Sequence, residues 1–412
     1  MENSRCMSFL KLSLAGIACF ISVSTASAGF YSNDFNSLVA ALKVAGVSPE
    51  GLWQFQDPKL GKNEFTLPKK SAPWAGNYSP MMDGGIASRW QQGTYATPDT
   101  MPTRETAKRM TSKEIAKLSP SEKMDLLNGD YEYKITNHEL YVRGPYRTLT
   151  PEFWEGFCNG VRCAGFLTPE PTRAIVMTNP DGIQIRFEPA DLKALAGASF
   201  FYVQDENYVD IGKPSRGDER GSSRPNFGVV YLTLKFYLAE MQKAFVVDMS
   251  LDSQLWNETA AGYSLKQSDE LQLTKAESLR YAGAVSKRFV KIRLKTLGEV
   301  SMDQSNRATK KSISKGEFLK ETPMSGFIFL NKDGMIMDGD WRDVKNASAA
   351  DFMRGIDFMW FSSGRGADAD FHPDNKDPNF SGTGNKYLDF EKVLNLMQAA
   401  STPKKCSGVF GK

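Results

Sequence analysis

The first residue whose type and setting could do chemistry is a cysteine among small residues. Cys158 lies in Phe153–Pro171, FWEGFCNGVRCAGFLTPEP, after Gly156-Phe157 and before residues that can start a helix. A thiol at a helix N-terminus feels the positive end of the dipole, and its pKa falls. The thiolate so formed is a nucleophile for acyl groups. From spacing alone, a buried structural cysteine is the commoner case. Base chemistry has few candidates, because the chain holds only two histidines, His138 and His372. That argues against a multi-histidine zinc site. Asp248 ends the apolar run Ala244–Met249, AFVVDM, which reads as a short buried strand closing on an acid.

Further blocks accompany the cysteine in a fixed order. Trp74-Ala75-Gly76-Asn77-Tyr78 is followed by Asp83-Gly84-Gly85-Ile86 and Trp90. Gly156-Phe157-Cys158-Asn159-Gly160 is followed by Pro169-Glu170-Pro171. Phe245-Val246-Val247-Asp248 precedes Leu255-Trp256-Asn257 and Gly262-Tyr263, and Gly339-Asp340-Trp341 precedes Asp351-Phe352. Taken together, these four blocks resemble the transglutaminase elicitor family, secreted enzymes of plant pathogens with bacterial relatives. The resemblance is scattered over most of the chain beyond its first 28 residues.

The resemblance implies an α+β fold with a transglutaminase-like or papain-like core. It also implies a thioester mechanism, in which a cysteine displaces ammonia from a glutamine amide and an amine then resolves the acyl-enzyme. Cys158 carries over as the nucleophile and Asp248 as the acid that orients a base. Trp256 and Asn257 carry over as wall residues, and Asn159 stands where many members have a histidine. Calcium dependence is implied by the resemblance alone.

The sequence departs from the family where its base should be. Counting back from Asp248 puts Tyr231 in the place of the family's histidine, or Gly228 with a small gap. A second family histidine, in H-P-D-F, is replaced by Ala349-Ala350-Asp351-Phe352. His372-Pro373-Asp374 echoes that motif later in the chain and is the candidate for a relocated base. Val161 stands for a family tryptophan, and Glu258-Thr259-Ala260-Ala261 for Q-P-V-R. A base contributes about 10²–10⁴-fold to such chemistry, so weak or absent transglutaminase activity is expected. The competing readings are a cysteine amidase or peptidase on the same fold, and a non-catalytic binding protein that retains it.

The elements that must position these residues follow from periodicity and turn chemistry. Asp34–Gly46 has helical spacing and ends at glycine. One helix is expected over Arg104–Leu118 and another from the capping box Ser119-Pro120-Ser121-Glu122. A hairpin is expected for Ile175–Met177 and Ile183–Phe187, and a second around Asn331-Lys332-Asp333-Gly334. Pro189–Ala196, Val229–Met241 and Leu388–Ala399 read as helices. Asp205–Asn226 and Ser363–Gly384 read as loops. Asp368, Asp370, Asp374 and Asp377 cluster in the second loop without a regular ligand pattern, so the residues themselves suggest no metal site.

Residues 1–28 read as a signal peptide, with Arg5 and Lys11 before the apolar stretch Leu12–Val23 and Ala26-Ser27-Ala28 at the cleavage site. A lipidated Cys19 is the competing reading. The chain is then expected to be secreted or periplasmic, without a transmembrane span. A mainly helical region is expected over 29–150 and the α+β core over 151–412, with its β-rich part toward the C-terminus. Lys plus Arg number 51 and Asp plus Glu 48, a balance that argues against a nucleic-acid partner. Exported proteins or cell-wall peptides are the expected substrates, and the oligomeric state is left open. Three cysteines remain after cleavage. On a helix, Cys158 and Cys163 would project about 140° apart, a poor geometry for a disulfide. Cys163–Cys406 is therefore the expected pair.

Overall fold

The computed structural model of the chain describes residues 33–202, 208–214, 224–251, 254–342, 354–362 and 385–401. The expected signal peptide, the Asp-rich loop, His372 and Cys406 lie outside these residues, as does Ala349-Ala350-Asp351-Phe352.

A nine-stranded antiparallel sheet organises the described residues. Its strands are β1 (Glu64–Thr66), β2 (Tyr208–Gly212), β3 (Phe245–Ser250), β4 (Asn257–Gln267), β5 (Leu271–Gln272), β6 (Ser286–Leu297), β7 (Leu319–Leu330), β8 (Ile336–Trp341) and β9 (Arg354–Ser362). The order is β8-β7-β6-β4-β3-β9-β2, with β1 added on β4 and β5 on β6. The β7–β8 hairpin turns at Asn331–Gly334, where Gly334 takes a φ of 76°. One difference from the sequence reading falls here. The polar stretch taken as a loop over Asp205–Asn226 contains edge strand β2, which pairs with β9.

Helices cover both faces of the sheet. They are α1 (Asn33–Val44), α2 (Pro120–Asn128), α3 (Cys158–Leu167), α4 (Pro189–Tyr202), α5 (Phe227–Leu232) and α6 (Phe390–Ser401). After α5 the chain continues with wider helical turns over Thr233–Glu240. On one face, Phe245 and Val247 of β3 pack with Leu38, Leu42 and Val229–Leu232. On the other, Val246 packs with Val161, Ala164, Leu195 and Met397. This is the two-residue alternation of a strand buried on both sides. Each core draws on residues from both sides of position 150.

Local chemistry explains the helix boundaries. The single helix expected over Arg104–Leu118 is two, Arg104–Arg109 and Ser112–Ala116, because Thr111 and Glu114 form a capping box that starts the second. The Ser119–Glu122 box opens α2 as read, and Gly129 ends it at φ 71°. Helices α3 and α4 meet at glycines. A Cβ on Gly160 would stand 2.0 Å from the Gly197 carbonyl oxygen and 2.6 Å from the Phe201 nitrogen. Only a hydrogen fits there, and the closeness seats α3 on α4.

Candidate active site

Helix α3 begins at Cys158, with Phe157 as its N-cap. The preceding turn is fixed by the hydrogen bond from Phe157 N to Tyr78 O, 2.6 Å, and by Gly156, which leaves no room for a Cβ against Tyr78. The sulfur therefore meets the sheet at β3 and β4. There, Nδ2 of Asn257 donates to Cys158 Sγ at 3.3 Å, and the thiol faces Leu255 O at 3.7 Å.

Asp248 and Asn257 are directly opposite each other in the β3–β4 ladder, so both point toward α3. Oδ1 of Asp248 accepts from Trp256 N at 2.8 Å and from the Ser250 hydroxyl at 2.9 Å. Its Oδ2 is buried and makes no hydrogen bond among the described residues. Burial raises the Asp248 pKa to about 7 against the pull of these donors, and the nearby charge of Asp357 adds to the rise. Burial also raises the Cys158 thiol, and the Asn257 hydrogen bond opposes it. This corrects the expectation of a thiol made acidic by its helix terminus. Desolvation at the buried site is the largest influence on the thiol and works against its ionisation.

A second layer joins α3 to the loop around Tyr78. Arg162, one turn beyond Cys158, is fully buried and donates to Asn257 O at 3.3 Å and to Gly76 O at 3.2 Å. It also pairs with Glu299, whose other oxygen accepts from Tyr78 N at 2.9 Å. Beside the thiol, the Trp256 ring lies 6.2 Å from that of Tyr78 and 6.3 Å from that of Phe153, which is half exposed. These rings form an aromatic rim. An open cavity of about 640 Å³, lined by Asn77, Ser79, Asp83, Trp90 and Tyr95 among others, does not include Cys158.

Cys158, Asp248, Trp256 and Asn257 thus come together. Asn159 sits beside them, but its side-chain oxygen accepts from Gly160 N at 2.7 Å in its own helix turn. Tyr231 does not join the group. It lies in the core on the opposite face of the sheet, donates to Pro58 O at 3.1 Å and accepts from Gln267 at 2.8 Å. The helix that carries Tyr231 covers the opposite face of the sheet from Cys158, so Tyr231 cannot serve the thiol as a base. His138 is the one histidine among the described residues, and its ring packs 6.2 Å from that of Tyr387. Cys163 is a free, buried thiol whose pKa burial raises to about 12.

Sequence reasoning missed Arg162, Glu299 and Trp360. Nε1 of Trp360 donates to Oδ1 of Asn257 at 3.2 Å. Arg162 could have been found, since it stands four residues after Cys158 on the same helix face. Trp360 lies in the apolar run Phe358–Phe361, which gives no signal beyond a buried strand.

Calcium is implied by the resemblance alone. Among the described residues no group of three or more His, Cys, Asp or Glu side chains could hold a metal ion.

Comparison with known proteins gives two findings. A family model, "Transglutaminase elicitor", matches residues 57–394. The crystal structure of the GP42 transglutaminase from Phytophthora sojae superposes with a TM-score of 0.61 at 19% identity, covering 89% of this chain and 98% of that one. At that identity the likeness shows the fold: a mixed helix-and-strand structure similar to a transglutaminase. A search of curated proteins gave no match.

Proposed function

This chain belongs to the transglutaminase elicitor family, and from that premise we propose that it is an exported acyltransferase working slowly through a Cys158 thioester. The observation that carries the reading is the position of Cys158: first residue of α3, with its sulfur against an amide donor and a buried carboxyl one ladder pair away. The sulfur attacks the carbonyl carbon of a glutamine side chain or peptide amide. The S–C bond forms, the C–N bond breaks, and the thiol proton leaves with the nitrogen, as ammonia from glutamine or as the free amine of the departing fragment from a peptide amide. An amine then attacks the thioester, forms a new amide bond and returns the proton to sulfur.

Asp248 relays the proton within each step, from sulfur to the leaving nitrogen and then from the attacking amine back to sulfur, because its pKa of about 7 suits both acceptance and return near neutrality. The thiol lies above its ordinary value, so transfer to Asp248 runs uphill and the rate is low. The aromatic rim of Tyr78, Phe153 and Trp256 holds the methylene chain of the donor. Exported proteins or cell-wall peptides are the substrates this reading names. No helix among the described residues is long and apolar enough to cross a membrane, which is compatible with export.

The test is incorporation of a fluorescent primary amine into a glutamine-rich protein. Wild type should label the acceptor slowly, Cys158→Ala not at all, and Asp248→Asn at least tenfold more slowly than wild type. Ammonia release without amine incorporation would turn the reading to an amidase. A second reading, a binding protein that keeps the fold, is favoured by the burial that works against ionisation of the thiol. It is supported if Cys158→Ala binds a glutamine peptide as wild type does and neither turns it over.

A further inference from the structure

The Asn257 side chain is 95% buried, and both ends of its amide are engaged. An indole N–H can only donate, so the Asn257 atom facing Trp360 must be the amide oxygen. The NH2 group is thereby turned onto the sulfur of Cys158. The backbone N–H of Cys158 lies at the start of α3, where the first N–H groups have no acceptor in their own helix. The side-chain donor at the sulfur therefore lies at the helix end that carries those N–H groups. Arg162, bound to the Asn257 carbonyl, holds the backbone end of the same residue.

We propose that Asn257 is the catalytic donor for the charge that develops at Cys158, on the thiolate and then on the carbonyl oxygen bonded next to it. Trp360 is the positioning residue that fixes which end of the amide is presented. When the sulfur adds to the amide carbonyl, the C=O π pair moves onto oxygen, within reach of a donor already set at the sulfur. A donor fixed before the reaction stabilises that charge without reorganising. The sulfur contact already acts in this direction, since the Asn257 bond opposes the rise that burial imposes on the thiol. The acyl-transfer part of the inference rests on the reading proposed above. The thiolate part does not.

Asn257→Asp tests the inference with little change of shape. Trp360 can still donate to one carboxylate oxygen, and the other then faces the sulfur without a proton to give. The rate of Cys158 alkylation by iodoacetamide should have its pH midpoint shifted upward by about one unit or more. Amine incorporation should fall about 10²-fold, mostly in kcat. Trp360→Phe keeps an aromatic ring but frees the amide to turn. It should lower kcat about tenfold, leave the KM for a glutamine peptide within twofold, and move the alkylation midpoint in the same direction. Melting curves at pH 6 read any loss of folding separately. Alkylation profiles that coincide in wild type and both variants would overturn the inference, as would a thiol that resists the reagent in all three. Shifted profiles without amine transfer in wild type would leave the donor role standing and remove the acyltransferase reading.

Discussion

At Cys158 a donated amide favours the thiolate, while burial, the larger influence, favours the thiol. Asp248 meets the same physics with opposite consequences for charge. Its pKa is raised to about 7, so the folded protein binds a proton there that the unfolded chain, titrating near 4, has already lost. The stability this contributes is present in full below the unfolded pKa. It is lost as the pH rises toward and through about 7. Asp248→Asn, which stays neutral, should therefore lose less stability between pH 5 and pH 8 than wild type does. The difference should be about 2 kcal/mol, read as a smaller change in urea midpoint. Identical pH dependence would show that Asp248 is ionised in the folded state throughout. Of the site residues, Cys158, Asp248, Trp256 and Asn257 could be picked from blocks of sequence. Trp360 could not, because a buried tryptophan in an apolar strand looks the same whether or not its N–H has a task.

At the level of elements, the site exists because three pieces meet: the start of α3, the β3–β4 pair and strand β9. The Asp248–Asn257 register puts both side chains on the α3 face, and slipping it by one residue would turn them away. The close contact of Gly160 with Gly197 seats α3 beside them. Gly160→Ala forces the helices apart and should cost about 1–3 kcal/mol. A fall in melting temperature with slower Cys158 alkylation would match this, whereas an unchanged melt would mean that the helices adjust without loss. Capping boxes and turn glycines made several helix ends and the β7–β8 turn legible in advance. Strand β4, NETAAGYSLKQ, was not legible. Its polar and small residues carry no alternation, and its buried Glu258 is satisfied by partners distant in the chain, Thr296 and Lys320. Tyr231 was misplaced for a related reason. Distance along the chain cannot tell which face of a sheet a helix will cover.

Over the whole molecule, helices on both faces enclose the sheet, and buried ion pairs tie the layers together. Lys123 of α2 and Asp191 of α4 are 2.7 Å apart and wholly buried, with Trp90 donating to the same carboxylate at 2.8 Å. Lys123→Met leaves Asp191 charged without its cation and should destabilise the protein by about 3 kcal/mol. Denaturant unfolding would check this, and an unchanged midpoint would contradict it. The fold class was legible because four blocks in order mark it. Whether the chemistry survives without a histidine at the expected position depends on how the folded layers tune one thiol and one carboxyl. The most direct test of that central claim is intact-mass analysis of the protein incubated with a glutamine-containing peptide and no amine. Wild type should gain the mass of the peptide less one ammonia, on the peptide fragment that carries Cys158, and Cys158→Ala should gain nothing. No mass gain in wild type after prolonged incubation, or an equal gain in Cys158→Ala, would contradict a Cys158 thioester.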